Sequence, residues 1–222
     1  MVSKPRFNAA RPGPWQALFV HAQLLMDEMC VRTHADAHWT FGGGTVLMLR
    51  HRHRMSRDID LFVPDPQYLG FVNPRLSDLA AGLCRDYVEA ADYIKLVCHG
   101  GEIDIVVGSN LTANPWTLET INGRPVRVET DVEIVAKKMW HRGNRATARD
   151  LFDLALVVRS NPDGLRAEAR WLVRHRDAFL TQLDERRDVL SRQFAAMHSL
   201  KPMPGYDACT SQVKEFLGSL QL

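Results

Sequence analysis

The sequence predicts an α+β fold, with a mixed α/β part over residues 1–130 and a mostly helical lobe over 131–222. Three observations carry this. Short runs with strand-like alternation lie before residue 130. Two joins between them, His99-Gly100-Gly101 and Asn122-Gly123, have hairpin turn chemistry. After Asp131 the apolar residues recur at helical spacing. A chain of 222 residues, 45% apolar and 24% charged, can bury a core without disulfide or metal staples.

The elements follow in order. Residues 1–14, with three prolines, read as an irregular lead-in. Over 15–31, Leu18, Phe19, Ala22, Leu25, Met26 and Met29 define one helical face. A short strand over 38–41 ends in Gly42-Gly43-Gly44, and a helix is predicted over 45–52. Residues 58–63 alternate strictly, so Asp58, Asp60 and Phe62 share one face and Ile59, Leu61 and Val63 the other. A helix is predicted over 73–87, with Leu76, Leu79, Ala80 and Leu83 along one side. Two hairpins follow, pairing 93–98 with 102–107 and 116–121 with 125–128. The helical lobe is broken near Gly143-Asn144 and at Asn161-Pro162-Asp163-Gly164, and a last helix is expected over 211–220.

Composition excludes several function classes. No apolar run approaches the roughly 18 residues that span a bilayer. The N-terminus lacks an apolar stretch of signal-peptide length, so the protein is expected to be cytoplasmic, with no membrane partner. The net charge of +2 gives no argument for a protein that coats nucleic acid. The four cysteines, Cys30, Cys84, Cys98 and Cys209, form no C-x-x-C pair and are expected to be free thiols.

The strongest constellation is F-G-G-G-T at 41–45 followed by D-I-D at 58–60. A glycine turn opening a helix lets phosphate oxygens approach backbone N–H groups with no Cβ in the way. Asp58 and Asp60 stand at i and i+2 on one strand face, about 7 Å apart by the strand rise. That pattern suits one or two divalent cations that also bind substrate phosphates. Asp104, in E-I-D-I-V-V, offers a third carboxylate on a separate strand. Taken singly, the glycines read as a turn and the acids as solvated surface; an acid pair set among Ile, Leu, Phe and Val needs neutralising if buried. The run before Asp58, R-H-R-H-R-M-S-R, holds four Arg and two His. It reads either as a steering patch for an anionic substrate, Ser56 and Arg57 closest, or as the solvated end of a helix. The P-loop and dinucleotide-binding glycine patterns are absent.

The second constellation is E-I-V-A-K-K-M-W-H-R-G at 133–143 with T-A-R-D-L-F-D-L at 147–154. Lys138 lies beside the apolar stripe of Ile134, Val135 and Met139, and Lys137 lies farther round. Asp150 and Asp153, at i and i+3, share a helix face. Ordinary helix surface remains the competing reading for both pairs.

Together these residues resemble a known family. F-G-G-G-T…D-I-D resembles the signature of the polymerase-β-like nucleotidyltransferase superfamily. The second block, E-I-V-A-K-K-M-W-H-R-G…A-R-D-L-F-D-L, resembles the later motifs of the AbiEii/AbiGii nucleotidyltransferase toxins, MenT-like members included. The resemblance covers about 41–157. It implies a nucleotidyltransferase core followed by a helical lobe that contributes to the active site. It implies a metal-dependent enzyme that moves a nucleotide from an NTP to an acceptor hydroxyl, in the family a tRNA 3′ end. It further implies Mg²⁺ or Mn²⁺, and a cognate antitoxin as partner of the toxin. By motif, Asp58 and Asp60 become metal ligands; from the residues themselves Asp104 is expected to join them, and Gly43, Gly44, Thr45, Ser56 and Arg57 to cradle the phosphates. Lys138 becomes the triphosphate lysine and Asp150 the catalytic acid. Two other functions fit parts of the pattern: an antibiotic-type nucleotidyltransferase with a small-molecule acceptor, and a non-catalytic nucleotide- or partner-binding module.

Overall fold

A computed structural model describes residues 5–33 and 38–221. Its elements, in chain order, are α1 (Trp15–Thr33), β1 (Thr40–Gly42), α2 (Gly43–His51), β2 (Ile59–Val63), α3 (Leu69–Val72), α4 (Asp78–Leu83), β3 (Cys84–Glu89), β4 (Tyr93–Cys98), β5 (Gly101–Val107), β6 (Trp116–Ile121) and β7 (Arg124–Glu129). The helices α5 (Asp131–Arg142), α6 (Ala148–Ser160), α7 (Pro162–Ala167), α8 (Arg176–Glu185), α9 (Arg187–Ala195) and α10 (Tyr206–Gly218) follow. The seven strands form one mixed sheet in the order β3-β4-β5-β2-β1-β7-β6, with β2–β5 and β1–β7 parallel. The α+β class stands, and the strands among the described residues all precede residue 130.

One sheet face is covered by α1. Leu18, Phe19, Leu25, Met26 and Met29 are fully buried, as are Ile59, Leu61, Ile103 and Ile105 on the strands beneath. Each such side chain contributes roughly 1.5–3 kcal/mol. The other face carries the polar alternates of the same strands and is met by α5. A continuous apolar core joins both halves, from Trp15 through Leu151 and Phe152 to Leu217. Capping explains where the later helices begin. Thr130 opens α5 by accepting from the Glu133 N–H, and Thr147 opens α6 by accepting from the Asp150 N–H. The Asn122-Gly123 turn has both residues at positive φ, 52° and 76°, as a tight hairpin requires.

Four expectations change. The helix predicted over 73–87 ends at Leu83, and residues 84–89 form edge strand β3 against β4. Ser77 starts a short helix with its hydroxyl, and Leu76 is 64% exposed rather than packed. The strand expected from residue 38 begins at Thr40, and α2 includes Gly43 and Gly44 rather than starting at Thr45. The last helix starts earlier than expected, at Tyr206. The described part of the lead-in, residues 5–14, is irregular, and residues 1–4 lie outside the described residues. Cys84, Cys98 and Cys209 are free thiols, Cys98 and Cys209 buried.

Candidate active site

The register sets one row of side chains across the sheet face that α1 leaves uncovered. Lys95 on β4 pairs with Asp104 on β5, Asp104 with Asp60 on β2, and Asp60 with Gly42 on β1. Residues directly paired across strands point to the same side. Asp60 and Asp104 are therefore neighbours, as D-I-D and E-I-D-I anticipated. Asp58 sits just before β2 and accepts a hydrogen bond from the Glu102 N–H at 3.2 Å.

Asp58, Asp60, Lys95 and Asp104 line an open cleft of about 920 Å³. Its floor holds Asp58, Asp60 and Asp104, and Gly43 and Gly44 form one edge. Arg54, Ser56 and Arg57 enter from the segment before β2. Lys138 and Arg142 enter from α5, and Thr147 and Arg149 from the start of α6. Gly43 has φ +71°, and a Cβ there would lie 1.9 Å from Asp60 Oδ2. The glycine is thus required twice, by its backbone and by the carboxylate pressed against it.

The cations on the far wall are held by buried acids. Arg54 makes a two-pronged pair with Asp153, Nε to Oδ1 and Nη2 to Oδ2, both 2.8 Å. His53 Nε2 also reaches Asp153 Oδ1 at 2.8 Å. Lys138 Nζ bridges Asp153 Oδ2 at 2.5 Å and Asp150 Oδ1 at 3.1 Å. Asp150 accepts further bonds from Arg142 Nη2 and Thr147 Oγ1, each 2.7 Å. Burial alone would push both acids up. Arg54, Lys138 and His53 instead hold the Asp153 carboxyl well below the usual range, and Lys138 with Arg142 hold Asp150 below its ordinary value. Burial drives the His53 imidazole down despite Asp153, so it sits neutral. Among the described residues, Arg57 and Arg149 make no ion pair.

The floor shows the opposite strain. Burial raises the Asp60 carboxyl above its ordinary value against the pull of Arg142 and Lys138. Burial and the adjacent Asp60 charge push Asp104 up to about 6. Lys95 Nζ lies 3.3 Å from Asp104 Oδ1, yet that oxygen has no aligned hydrogen bond. Crowded carboxylates that raise one another are what a divalent cation relieves. The donor set therefore fits a hard, oxygen-binding cation.

Four sequence expectations need correction. Asp58, Asp60 and Asp104 share the cleft, but among the described residues no three such side chains gather closely enough to form a ready metal cage. The physical reason is that Asp58 is drawn to the Glu102 N–H and Asp104 to Lys95. Thr45 does not face the cleft. It is fully buried, and its hydroxyl donates to the Asp58 carbonyl at 2.6 Å, so it fixes the strand entry. Asp150 is not presented to the cleft as a free acid, because Lys138, Arg142 and Thr147 occupy it. Lys137 is no surface residue. It is buried between Glu129, at 2.5 Å, and Glu133, at 3.5 Å, with its ammonium 4.0 Å from the centre of the Phe62 ring. Lys138 is the lysine that lines the cleft. Sequence reasoning missed Arg54, Arg142 and Lys95; the charge run at 50–57 was the available signal for the first.

No helix among the described residues is long and apolar enough to cross a membrane. No curated protein matches the chain. In structure it is similar to MenT4, a nucleotidyltransferase toxin of Mycobacterium tuberculosis, at 17% identity and TM-score 0.51, covering 96% of this chain and 88% of that one. It is also similar to JHP933 of Helicobacter pylori, at 16% identity and TM-score 0.46, covering 92% of each chain. At 17% identity the likeness to MenT4 speaks to fold alone. The family model for the AbiEii nucleotidyl transferase toxin of type IV toxin–antitoxin systems matches residues 24–215, a span holding the glycine turn, the acidic floor and the α5–α6 wall. This chain belongs to the AbiEii nucleotidyltransferase toxin family.

Proposed function

We propose that the cleft binds an NTP and transfers its nucleotide to a hydroxyl of an RNA acceptor, a tRNA 3′ end, and that a cognate antitoxin restrains this activity. The observation that carries it is the pairing of an acidic floor with a pre-held cationic wall across one cleft. Asp58 and Asp60, with Asp104, are the residues that would hold Mg²⁺ or Mn²⁺. Bound there, the ion would neutralise triphosphate charge and lower the pKa of the attacking hydroxyl.

The chain's own groups do the rest. Gly43 and Gly44 bring backbone close to the phosphates, with Ser56 and Arg57 at the mouth. The acceptor oxygen bonds to the α-phosphorus, the α–β bridge breaks and pyrophosphate leaves. Lys138 and Arg142 offset the charge gathering on that leaving group. Asp150 and Asp153 act through these cations, keeping them aimed before substrate arrives. The proton of the attacking hydroxyl passes to water, and Asp104, otherwise pushed up to about 6, would be kept in its ionised, ligating form by the bound ion. The cationic lining also favours a polyanionic acceptor over a cationic antibiotic.

The test is transfer of labelled nucleotide from each NTP to total tRNA and to an aminoglycoside, with and without divalent ion. Asp60→Asn should lower the rate on the order of 100-fold or more, because an amide is a poor ligand for a hard cation. The variant's melting temperature should not fall, since a destabilised buried charge is removed. Unchanged transfer by Asp60→Asn would remove the acidic floor from the chemistry. Transfer to aminoglycoside alone would replace the RNA acceptor.

A further inference from the structure

The sheet face that bears the acids carries a second concavity, of about 290 Å³. The register places it. Asp60 and Phe62 alternate onto one side of β2, about 7 Å apart. Phe62 pairs with Thr40, and Trp116 pairs with Glu129, two residues beyond Arg127. Phe62, Thr40, Trp116 and Arg127 line the concavity, with Ser109 and Asn110 from the segment after β5. Between it and the cleft stand the Phe62 ring and the Glu129 carboxylate. A Cβ on Gly42 would meet these at 2.9 Å and 2.1 Å.

Two observations point to a ligand and to its chemistry. Trp116 is 37% exposed at the rim, a large aromatic left unburied by the fold. Arg127 lies over that ring, 5.4 Å from its centre, and is half-buried. Among the described residues no carboxylate pairs with Arg127. A half-buried guanidinium without an anion is unfavourable, and an incoming anion relieves it. A rim Trp that carries an Arg over its ring is a surface on which a single nucleobase stacks, with the cation near for a phosphate. Ser109 and Asn110 add donors and acceptors suited to a base edge. The volume is at the small end of ligand cavities, roughly 300–1,000 Å³, which suits one nucleotide and not a helix or strand.

We infer that this concavity binds one nucleotide unit, its base against Trp116 and its phosphate on Arg127. Nucleotide binding here is independent of the transfer chemistry. Its use to seat a nucleotide of the acceptor strand beside the reacting end rests on the function proposed above.

Calorimetric titration of the full chain tests this, with the cleft saturated by Mg²⁺ and a non-hydrolysable NTP analogue. The probes are AMP, CMP, GMP and UMP, the four unphosphorylated nucleosides, a 5′-phosphorylated trinucleotide and an acidic hexapeptide. Monophosphates should bind the wild type, and Trp116→Ala should weaken them on the order of tenfold or more. Trp116→Phe should recover most of that loss and so serves as the folding control. Arg127→Gln should erase the preference for monophosphates over nucleosides. Tighter binding of the trinucleotide assigns the site to a strand; tighter binding of the monophosphate assigns it to a free nucleotide. Superimposable titrations for wild type, Trp116→Ala and Arg127→Gln overturn the inference, as does binding of the hexapeptide without the nucleotides. If the wild type transfers nothing yet binds them through Trp116, the proposed transfer falls and the nucleotide site stands.

Discussion

Lys137→Ala separates the two adjacent lysines most sharply. The ammonium of Lys137 lies between Glu129 and Glu133, and all three side chains are at most 4% exposed. Glu133 keeps the N–H groups of Leu111 and Thr112 and the Thr112 hydroxyl. Glu129 keeps one bond, from Thr40 Oγ1, while its Oε2 has no partner even now. Removing the cation leaves Glu129 buried and nearly bare, which costs about 3–5 kcal/mol for a broken buried pair. Unfolding entropy of about 2.1 cal/mol/K per residue gives roughly 0.47 kcal/mol per kelvin for 222 residues. The melting temperature should therefore fall by about 6–11 °C. Burial already holds the Glu129 carboxyl above its ordinary value, and Lys137 is the main opposing influence. A raised carboxyl contributes stability that is present at low pH and lost as pH rises through its folded value. The deficit of Lys137→Ala should thus be largest at pH 7.5 and shrink towards pH 5.5. Melts followed by circular dichroism at pH 7.5, 6.5 and 5.5 measure both effects. A shift within about 2 °C at pH 7.5, or a deficit that grows in acid, would falsify the buried triad.

Other perturbations probe the cleft. Lys138→Ala should weaken NTP binding by tenfold or more at an expense of only about 1–3 kcal/mol in stability, because Arg142, Thr147, Arg54 and His53 still satisfy Asp150 and Asp153; equal NTP affinity in the variant would place the triphosphate elsewhere. Gly43→Ala should abolish transfer and destabilise by about 1–3 kcal/mol, since its Cβ would strike Asp60 and its backbone sits at φ +71°; a fully active Gly43→Ala enzyme would refute the close packing. The contributions of His53 and Asp153 to stability should erode on acidification, the first from about pH 6.5 as the lowered His53 must be charged on unfolding and the second below about pH 4 as the lowered Asp153 is protonated, against the opposite contributions of the raised Asp60, Asp104 and Glu129. Asp153→Asn should lose the second of these in urea titrations, and an unaltered acid profile would argue against Asp153 as the anchor.

The parts of this site that the sequence made legible are those in which chemistry and local geometry coincide. F-G-G-G-T reads as a turn into a helix because glycine takes the left-handed backbone such a turn needs, as Gly43 does at φ +71°, and D-I-D places both acids on one side because strands alternate. Both hairpins were fixed by their turn residues. What escaped prediction depends on neighbours distant in sequence. Residues 84–89 lie at a sheet edge, where one-sided pairing leaves no alternating burial, so the helical spacing that starts at Leu76 runs on past the true end. Helix periodicity places Lys137 off the apolar stripe and says nothing of Glu129, which arrives from β7 to neutralise it. Thr45 could not be told from a phosphate ligand, since the carbonyl that occupies its hydroxyl belongs to Asp58, thirteen residues on. Asp150 and Asp153 share a helix face as predicted, but their work is set by Arg54 from before β2 and Lys138 from α5. An acid that already holds two or three cationic or hydroxyl donors and is held below its ordinary value is poorly suited to take a proton at neutral pH. It is well suited to hold cations in place, and this moves Asp150 from the reacting group to the wall that faces it.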